Sequence, residues 1–512
     1  MLHAPSQVKA DQDALARLNP TFDLIPLSEA ARRRAAVVDD DGRPAIVFGA
    51  ADSATRTWAF LRAPEACARP HSASAEGFDR WLAQFSDAAS ALDGAAVGMT
   101  SNDLPADGET LSLAAIDAES NPVIRFVDAT LFDALQSGAS DVHLEADLKG
   151  LAVKFRLDGV LARITRIDAR EMAEQVVSRI KVLSELDIAE RRLPQDGRLS
   201  VSFRGRSIDV RVSVMPSVHG EDVVMRILDR QHLARELEGL TLARLGFDPE
   251  TVASLKSLCA LPYGMVLVTG PTGSGKTTTL YAALTETRDE SLKVITIEDP
   301  VEYQLDGVLQ IPVNEKKGLT FARGLRSILR HDPDRILVGE IRDKETAEIA
   351  VQSALTGHLV YTTVHANSAF DVLGRFSQLG LDLHDLSAAL NGVLAQRLVR
   401  KVCPSCCRPR SPTDAQLGPP SGVAPDRDWS RLVIAVGCER CRFTGYKGRL
   451  AIGEVLRLTA AMKAAFVERR STEELHELAS QTGMVSLREQ ALRLAADGLT
   501  TLEEVDRVTL AD

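Results

Sequence analysis

The stretch "GPTGSGKTTT", Gly270–Thr279, fits the pattern G-x-x-x-x-G-K-[ST] at Gly270, Gly275, Lys276 and Thr277. Apolar "MVLVT" precedes it and helix-compatible "TTLYAAL" follows. Glycines let successive backbone N–H groups close around a polyanion without Cβ obstruction. Gly270, Pro271, Thr272, Gly273, Ser274, Gly275, Lys276, Thr277 and Thr278 therefore read as a nucleotide-binding loop. Lys276 would reach the β and γ phosphates of ATP, and the Thr277 hydroxyl would ligate Mg2+. An incidental glycine-rich turn would not require strand, loop and helix in that order.

Outward from this loop, "MVLVT", "KVITIED", "RILVGE" and "HLVYTTV" alternate with helical segments, which predicts a parallel sheet with crossover helices. Ligands of such sheets gather at the carboxyl ends of the strands. Hydrolysis needs a carboxylate that polarises a water in line with the γ phosphate, and a second group toward the metal. Glu302 in "EDPVEY" and Glu340 in "ILVGEIRD" stand at strand ends and are candidates for both roles; which takes which stays open. Without the phosphate loop they would read as solvated loop charges. The second strand has Gly339-Glu340 where many P-loop enzymes carry an aspartate. His358 and His365 are seven positions apart, so a regular strand puts them on opposite faces and no shared metal is expected. His365, at the strand end, is a candidate γ-phosphate sensor, with a structural hydrogen bond as the plainer role.

Four of the seven cysteines form two C-x-x-C pairs, Cys403/Cys406 and Cys438/Cys441. Four thiolates suit Zn2+ in a closed, structural site. Cys407 leaves the ligand choice in the first pair open, and redox work would need one pair alone. The flanking "QRLVRKVCPSCCRPR" is basic and reads by default as a solvated surface.

A chain of 512 residues, 45% hydrophobic, has room for about three domains. The N-terminus lacks a basic segment followed by an apolar core, and no run of 18 apolar residues occurs, so no segment is expected to enter a bilayer. Cysteine usage points to a reducing compartment. A net charge of −11 works against phosphate-backbone binding, and no nucleic acid partner is expected. Residues 93–121 are rich in Gly, Ser, Asp and Ala, as a flexible linker would be. The expected organisation is an N-terminal domain at 1–92, that linker, an α+β domain at 122–235, a nucleotide-binding core at 240–395, a zinc module at 396–455 and a helical subdomain at 456–512. In "SDVHLEADLKGLAVKFRLDGVL" turns are expected at Asp147–Gly150 and Asp158-Gly159. Ser471 with Glu474, and Thr501 with Glu504, have capping-box spacing.

Taken together, "SDVHLE", "FRLDGVL", "ERRLPQDGRLS", "GPTGSGKTTTLY", "TIEDPVEY", "LRSILRHDPDRILVGEIRD", "TGHLVYTTVHANSA", "QRLVRKVCPSC" and "GYKGR" resemble the secretion ATPase superfamily, most closely its type II secretion and type IV pilus assembly ATPases. The resemblance runs from about Pro122 to Thr509. It implies a RecA-like P-loop ATPase domain in an α/β fold, preceded by a PAS-like α+β domain and a separate N-terminal domain, with a tetracysteine zinc-binding insertion. It further implies a homohexamer in which Arg211 and Arg226 reach the phosphates of a neighbouring subunit, as arginine fingers do. The implied function is ATP hydrolysis that powers pseudopilus assembly and protein export, with type IV pilus extension as the alternative and a nucleic-acid translocase further off. The implied partners are the cytoplasmic domain of an inner-membrane platform protein, met through residues 1–92, and the polytopic platform protein. The implied location is cytoplasmic and peripheral at the inner membrane. Gly453 stands where the family usually carries an aromatic. The first 92 residues lack the repeated R-L-G and glutamine motif of cyclic-di-GMP-binding members, so that regulator is not expected.

Overall fold

A computed structural model of the chain describes residues 121–229, 239–410 and 428–509 throughout. Before them it describes 33–40, 43–50, 52–83 and 110–112, with isolated positions at 8–9, 15, 18–21, 25, 30, 116 and 119–120. Most of the expected linker, 93–109, lies outside the described residues, as does 230–238. The chain divides into two compact units, Met1–Asp229 and Arg230–Asp512.

The first unit carries two sheets. One is five-stranded and centres on Ala35–Asp40 and Arg43–Gly49, with helices Ser53–Arg62 and Ala75–Ala83. The other is seven-stranded. Its order across the sheet is Thr110–Leu111, Gln195–Phe203, Arg206–Ser217, Gly220–Leu228, Asp141–Ala146, Leu151–Leu157 and Val160–Ile167. The strands break at the expected turns, where Asp158 and Gly159 adopt positive φ. Helices Pro122–Gln136 and Arg170–Leu183 share one core with this sheet, through Phe126, Leu131, Val176 and Ile180 against Val142, Val153, Val210 and Val212. Pro122 starts the first helix because its ring pre-sets helical φ, and the Asn121 side chain accepts from Val123 N at 2.9 Å.

The second unit is built on strands β1 (Gly264–Thr269), β2 (Val294–Glu298), β3 (Leu309–Pro312), β4 (Arg335–Val338), β5 (Leu359–Val364), β6 (Leu390–Val402) and β7 (Tyr446–Arg457). Their order is β3-β2-β4-β5-β1-β6-β7. All neighbours are parallel except β6 and β7. Met265 and Leu267 enter one core while Val266 and Val268 enter another, so the central strands are buried on both faces. That is why they read as continuous apolar runs rather than alternating ones. The crossovers include α1 (Lys276–Glu286) and α2 (Lys344–Leu355); late helices α3 (Leu487–Ala496) and α4 (Leu502–Val508) close the unit.

The basic stretch keeps its expected solvated character at Lys401 and Arg408, which are exposed, but not at Arg397 and Arg400. Arg397 and Arg400 belong to β6, where Arg400 donates to Glu504 at 2.8 and 3.0 Å and stacks 3.9 Å from the Tyr446 ring. The reason lies in the two capping signals. Ser471 and Glu474 form a reciprocal box, whereas Glu504 leaves the cap half-made and turns to Arg400 and Arg507. Gly453 also has a local cause: a Cβ there would stand 2.5 Å from Leu394 and 2.8 Å from Phe247.

Candidate active site

The phosphate loop joins β1 to α1. Gly275 closes it with φ 84°, a left-handed conformation that only glycine adopts without strain. Lys276 Nζ lies back over the loop, donating to Gly270 O at 2.9 Å and Pro271 O at 3.1 Å. Burial pulls its pKa below the usual lysine value, Glu340 opposes that shift, and the charge of Arg397 adds to it. Ser274 Oγ is buried without a hydrogen-bond partner among the described residues. The donor set thus fits a polyanion: a half-buried ammonium, a loop of backbone N–H groups and an unsatisfied hydroxyl.

Two strand ends carry the next residues. Thr269 Oγ1 donates within 3.0 Å of Ala366 O and accepts from Ala366 N, pinning the segment that holds His365. Thr363 Oγ1 donates to Gly339 O at 2.7 Å, fixing the approach to Glu340. His365 Nε2 then stands 3.6 Å from Glu340, whose carboxylate also takes the Arg342 guanidinium. Burial lowers the His365 pKa, with Lys276 and Arg342 adding to the shift and Glu340 opposing it, so the imidazole is neutral near pH 7. Gly339 stands where many P-loop enzymes carry an aspartate; a Cβ there would press the β2 backbone at 3.3 Å.

The structure therefore gathers Lys276, Glu340 and His365 at one edge. Glu302 lies on the segment after β2, exposed, with Tyr281 and Tyr303 as neighbours. The buried carboxylate on this side is Glu298, which accepts the Tyr281 hydroxyl and also takes Thr296 Oγ1 and Gln310 Nε2. His358 turns away, its Nδ1 3.0 Å from Ser353 O. Sequence reasoning passed over Arg342, Gln396 and Arg397. The last donates to Asn367 O at 2.6 Å and Gln396 O at 3.2 Å, behind the loop.

Arg211 and Arg226 lie in the first unit. Strand register sets Arg198 opposite Arg211, Arg211 opposite Arg226, Arg226 opposite Asp141 and Asp141 opposite Arg156, all on one face. Asp141 accepts from Arg226 Nε at 2.9 Å and lies 3.6 Å from Arg156 Nε. Like charges directly opposite one another weaken a strand pair. Asp141, approached by both Arg226 and Arg156, offsets part of that repulsion.

The four cysteines converge where β6 ends and β7 begins, with Cys403 N donating to Gly445 O at 2.9 Å. Sulfur separations are 3.9 Å for Cys403–Cys438, 3.7 Å for Cys406–Cys441 and 3.8 Å for Cys438–Cys441. A tetrahedron with Zn–S near 2.3 Å has edges of about 3.8 Å, so the set fits Zn2+. Cys407 stands outside this cluster. No helix among the described residues is long and apolar enough to cross a membrane.

Comparison with known proteins adds four findings. A family model described as "Type II/IV secretion system protein" matches residues 117–507. "Type II secretion system protein E" of Pectobacterium carotovorum subsp. carotovorum is 48% identical over 397 residues, covering 77% of each chain. "Type IV pilus assembly ATPase PilB" of Myxococcus xanthus is 45% identical over 397 residues, 77% of this chain and 69% of that one. Among solved structures, the ATPase DotB of Legionella pneumophila aligns with a TM-score of 0.52 at 20% identity, over 75% of this chain and 95% of its own, a likeness of fold.

Proposed function

Because this chain belongs to the type II/IV secretion system protein family, we propose that its ATP hydrolysis drives assembly of a pseudopilus and thereby protein export by a type II secretion system. The chain is an ATP hydrolase of that family. What carries the finer reading is the division of labour between its units. One holds the phosphate loop with Glu340 and His365, while the other holds the row Arg198, Arg211 and Arg226.

In this reading the N–H groups of Gly273 to Thr277 and the Lys276 ammonium hold the β and γ phosphates. Lys276 exchanges its loop carbonyls for phosphate oxygens. Thr277 would hold Mg2+, which would supply positive charge to offset that of the phosphates. Glu340, next to neutral His365, orients and deprotonates the attacking water, with His365 as a donor toward the γ phosphate. Glu302 is the second candidate for the metal side. Arg211 and Arg226 of an adjoining copy in a homohexamer neutralise the charge that spreads over the transferring group. Residues 1–92 dock to the cytoplasmic domain of an inner-membrane platform protein, holding the enzyme peripherally while closure around the ring moves the polytopic platform.

The test mixes Lys276→Ala chains with Arg211→Gln/Arg226→Gln chains, each inactive alone. Recovery of turnover at the complementary junctions is expected; none at any mixing ratio refutes the shared pocket. Pilus extension is the second reading, favoured by the 45% identity to a pilus assembly ATPase. Deletion in the host separates them: loss of exported enzymes with pili intact supports secretion, and the reverse supports extension.

A further inference from the structure

Gln396 stands where β6 passes the phosphate loop. β6 pairs with β1 up to Ala395 opposite Thr269, which leaves Gln396 level with the first residue of the loop. Its side chain is 1% exposed, and both ends of the carboxamide are engaged. Nε2 donates to Ser274 O at 2.7 Å, and Oε1 accepts the Thr279 hydroxyl at 2.8 Å. The loop is pressed against this residue: a Cβ at position 270 would stand 2.5 Å from Gln396 O, and one at 275 would stand 3.1 Å from its Nε2. On the opposite flank Gln396 faces Gly453 of β7. The N–H and C=O of Gly453 are both held by the Gln490 carboxamide, at 3.0 and 2.6 Å. The strand that carries Gln396 is therefore held from behind while its side chain holds the loop.

The choice of side chain follows from the chemistry. The loop offers an acceptor, the Ser274 carbonyl, and the helix offers a donor, the Thr279 hydroxyl. A carboxamide supplies the complementary donor and acceptor from one rigid plane. Leucine of similar size supplies neither. Glutamate keeps the acceptor but turns a carboxylate toward the carbonyl.

We propose that Gln396 is a positioning residue for nucleotide binding, holding the arc of the phosphate loop to the first turn of α1 so that the loop's N–H groups stay aimed at the phosphates. It acts through Ser274 and Thr279 and touches no phosphate. The loop's N–H groups serve substrate and transition state alike, so loosening the loop costs binding rather than turnover.

The experiment compares the full-length enzyme with Gln396→Glu, Gln396→Leu, Thr279→Val and the Gln396→Leu/Thr279→Val double variant, by steady-state ATPase kinetics, ADP titration calorimetry and thermal melting. Gln396→Glu is expected to raise KM for ATP and the ADP Kd together by about tenfold, the worth of one buried hydrogen bond lost, with kcat within about twofold. Thr279→Val should shift the same two constants in the same direction by less. The double variant should fall short of the sum of its singles, because both act on one bridge. KM and ADP Kd within about twofold of wild type in Gln396→Glu would overturn the proposal. So would a loss of kcat and melting temperature at unchanged KM, which is what a merely structural role gives. If the position-396 variants do not fold, Thr279→Val decides alone, and unchanged KM there overturns it as well.

Discussion

Glu504→Gln is a substitution of one atom that removes a buried charge from beneath two arginines. Glu504 is fully buried, and its carboxylate accepts from Arg400 N, from the Arg400 guanidinium at 2.8 and 3.0 Å, and from Arg507 at 2.6 and 2.7 Å. Breaking a buried pair by neutralising one partner costs roughly 3–5 kcal/mol, since the other charge is left without compensation. Arg400 is 14% exposed and bears that cost in full, whereas Arg507 at 42% keeps much of its hydration. The lower end, about 3 kcal/mol, is therefore expected. The assay is hydrogen exchange of the α4 amides, which should speed up about a hundredfold. The pH dependence supplies a second check. Burial alone would raise the Glu504 pKa, but hydrogen bonds from Arg507 and Arg400 outweigh it and hold the group below the usual carboxylate value. Its contribution is thus present above the ordinary glutamate pKa of about 4.3 and is lost as pH falls through the lower folded value. The gap between wild type and variant should close in acid. Equal exchange rates at pH 7, or a gap that widens in acid, would refute the reasoning.

Three further outcomes are expected. The purified chain should carry one zinc ion by atomic absorption, and Cys441→Ser should lose it while ATP binding persists, because the tetracysteine cluster begins beyond the end of β6, past the mid-strand Gln396 that meets the loop. In the assembled enzyme Arg211→Gln should cut kcat by about a thousandfold or more; Arg198→Gln should act in the same direction and lessen the salt sensitivity of turnover, with dispersed chains insensitive to either. Glu340→Gln should lower kcat by about a hundredfold or more while ATP binding persists, and Glu302→Gln should lower it less; equal losses would remove Glu340 from the role of base.

Much of the nucleotide-binding fold is legible from apolar runs and glycines. β1, β2, β4 and β5 announce themselves because both faces are buried, and the phosphate loop because its backbone demands glycine. β6 hides instead. Gln396, Arg397 and Arg400 interrupt its apolar run, and each is tolerated only because of a partner far away in sequence: Ser274, Asn367 and Glu504. The arginine row is hidden for a different reason. Arg156, Arg198, Arg211 and Arg226 align only once the register of the strands is known, and a slip of one residue would send alternate side chains to the other face. Glu340 and Glu302 look alike as strand-end carboxylates. Only the folded chain sets Glu340 beside Lys276 and His365.

The twelve residues of β7 form an outer margin of the nucleotide-binding sheet, and what lies over that margin has a practical consequence. A bare strand of this length is a template onto which other chains can add. Here Gln490 occupies the backbone of Gly453, and Leu245 O accepts from Ala451 N at 2.8 Å. A shortened protein ending before Leu487 would keep every residue named for ATP chemistry yet uncover that margin at Gly453, and should come out of expression as insoluble aggregate.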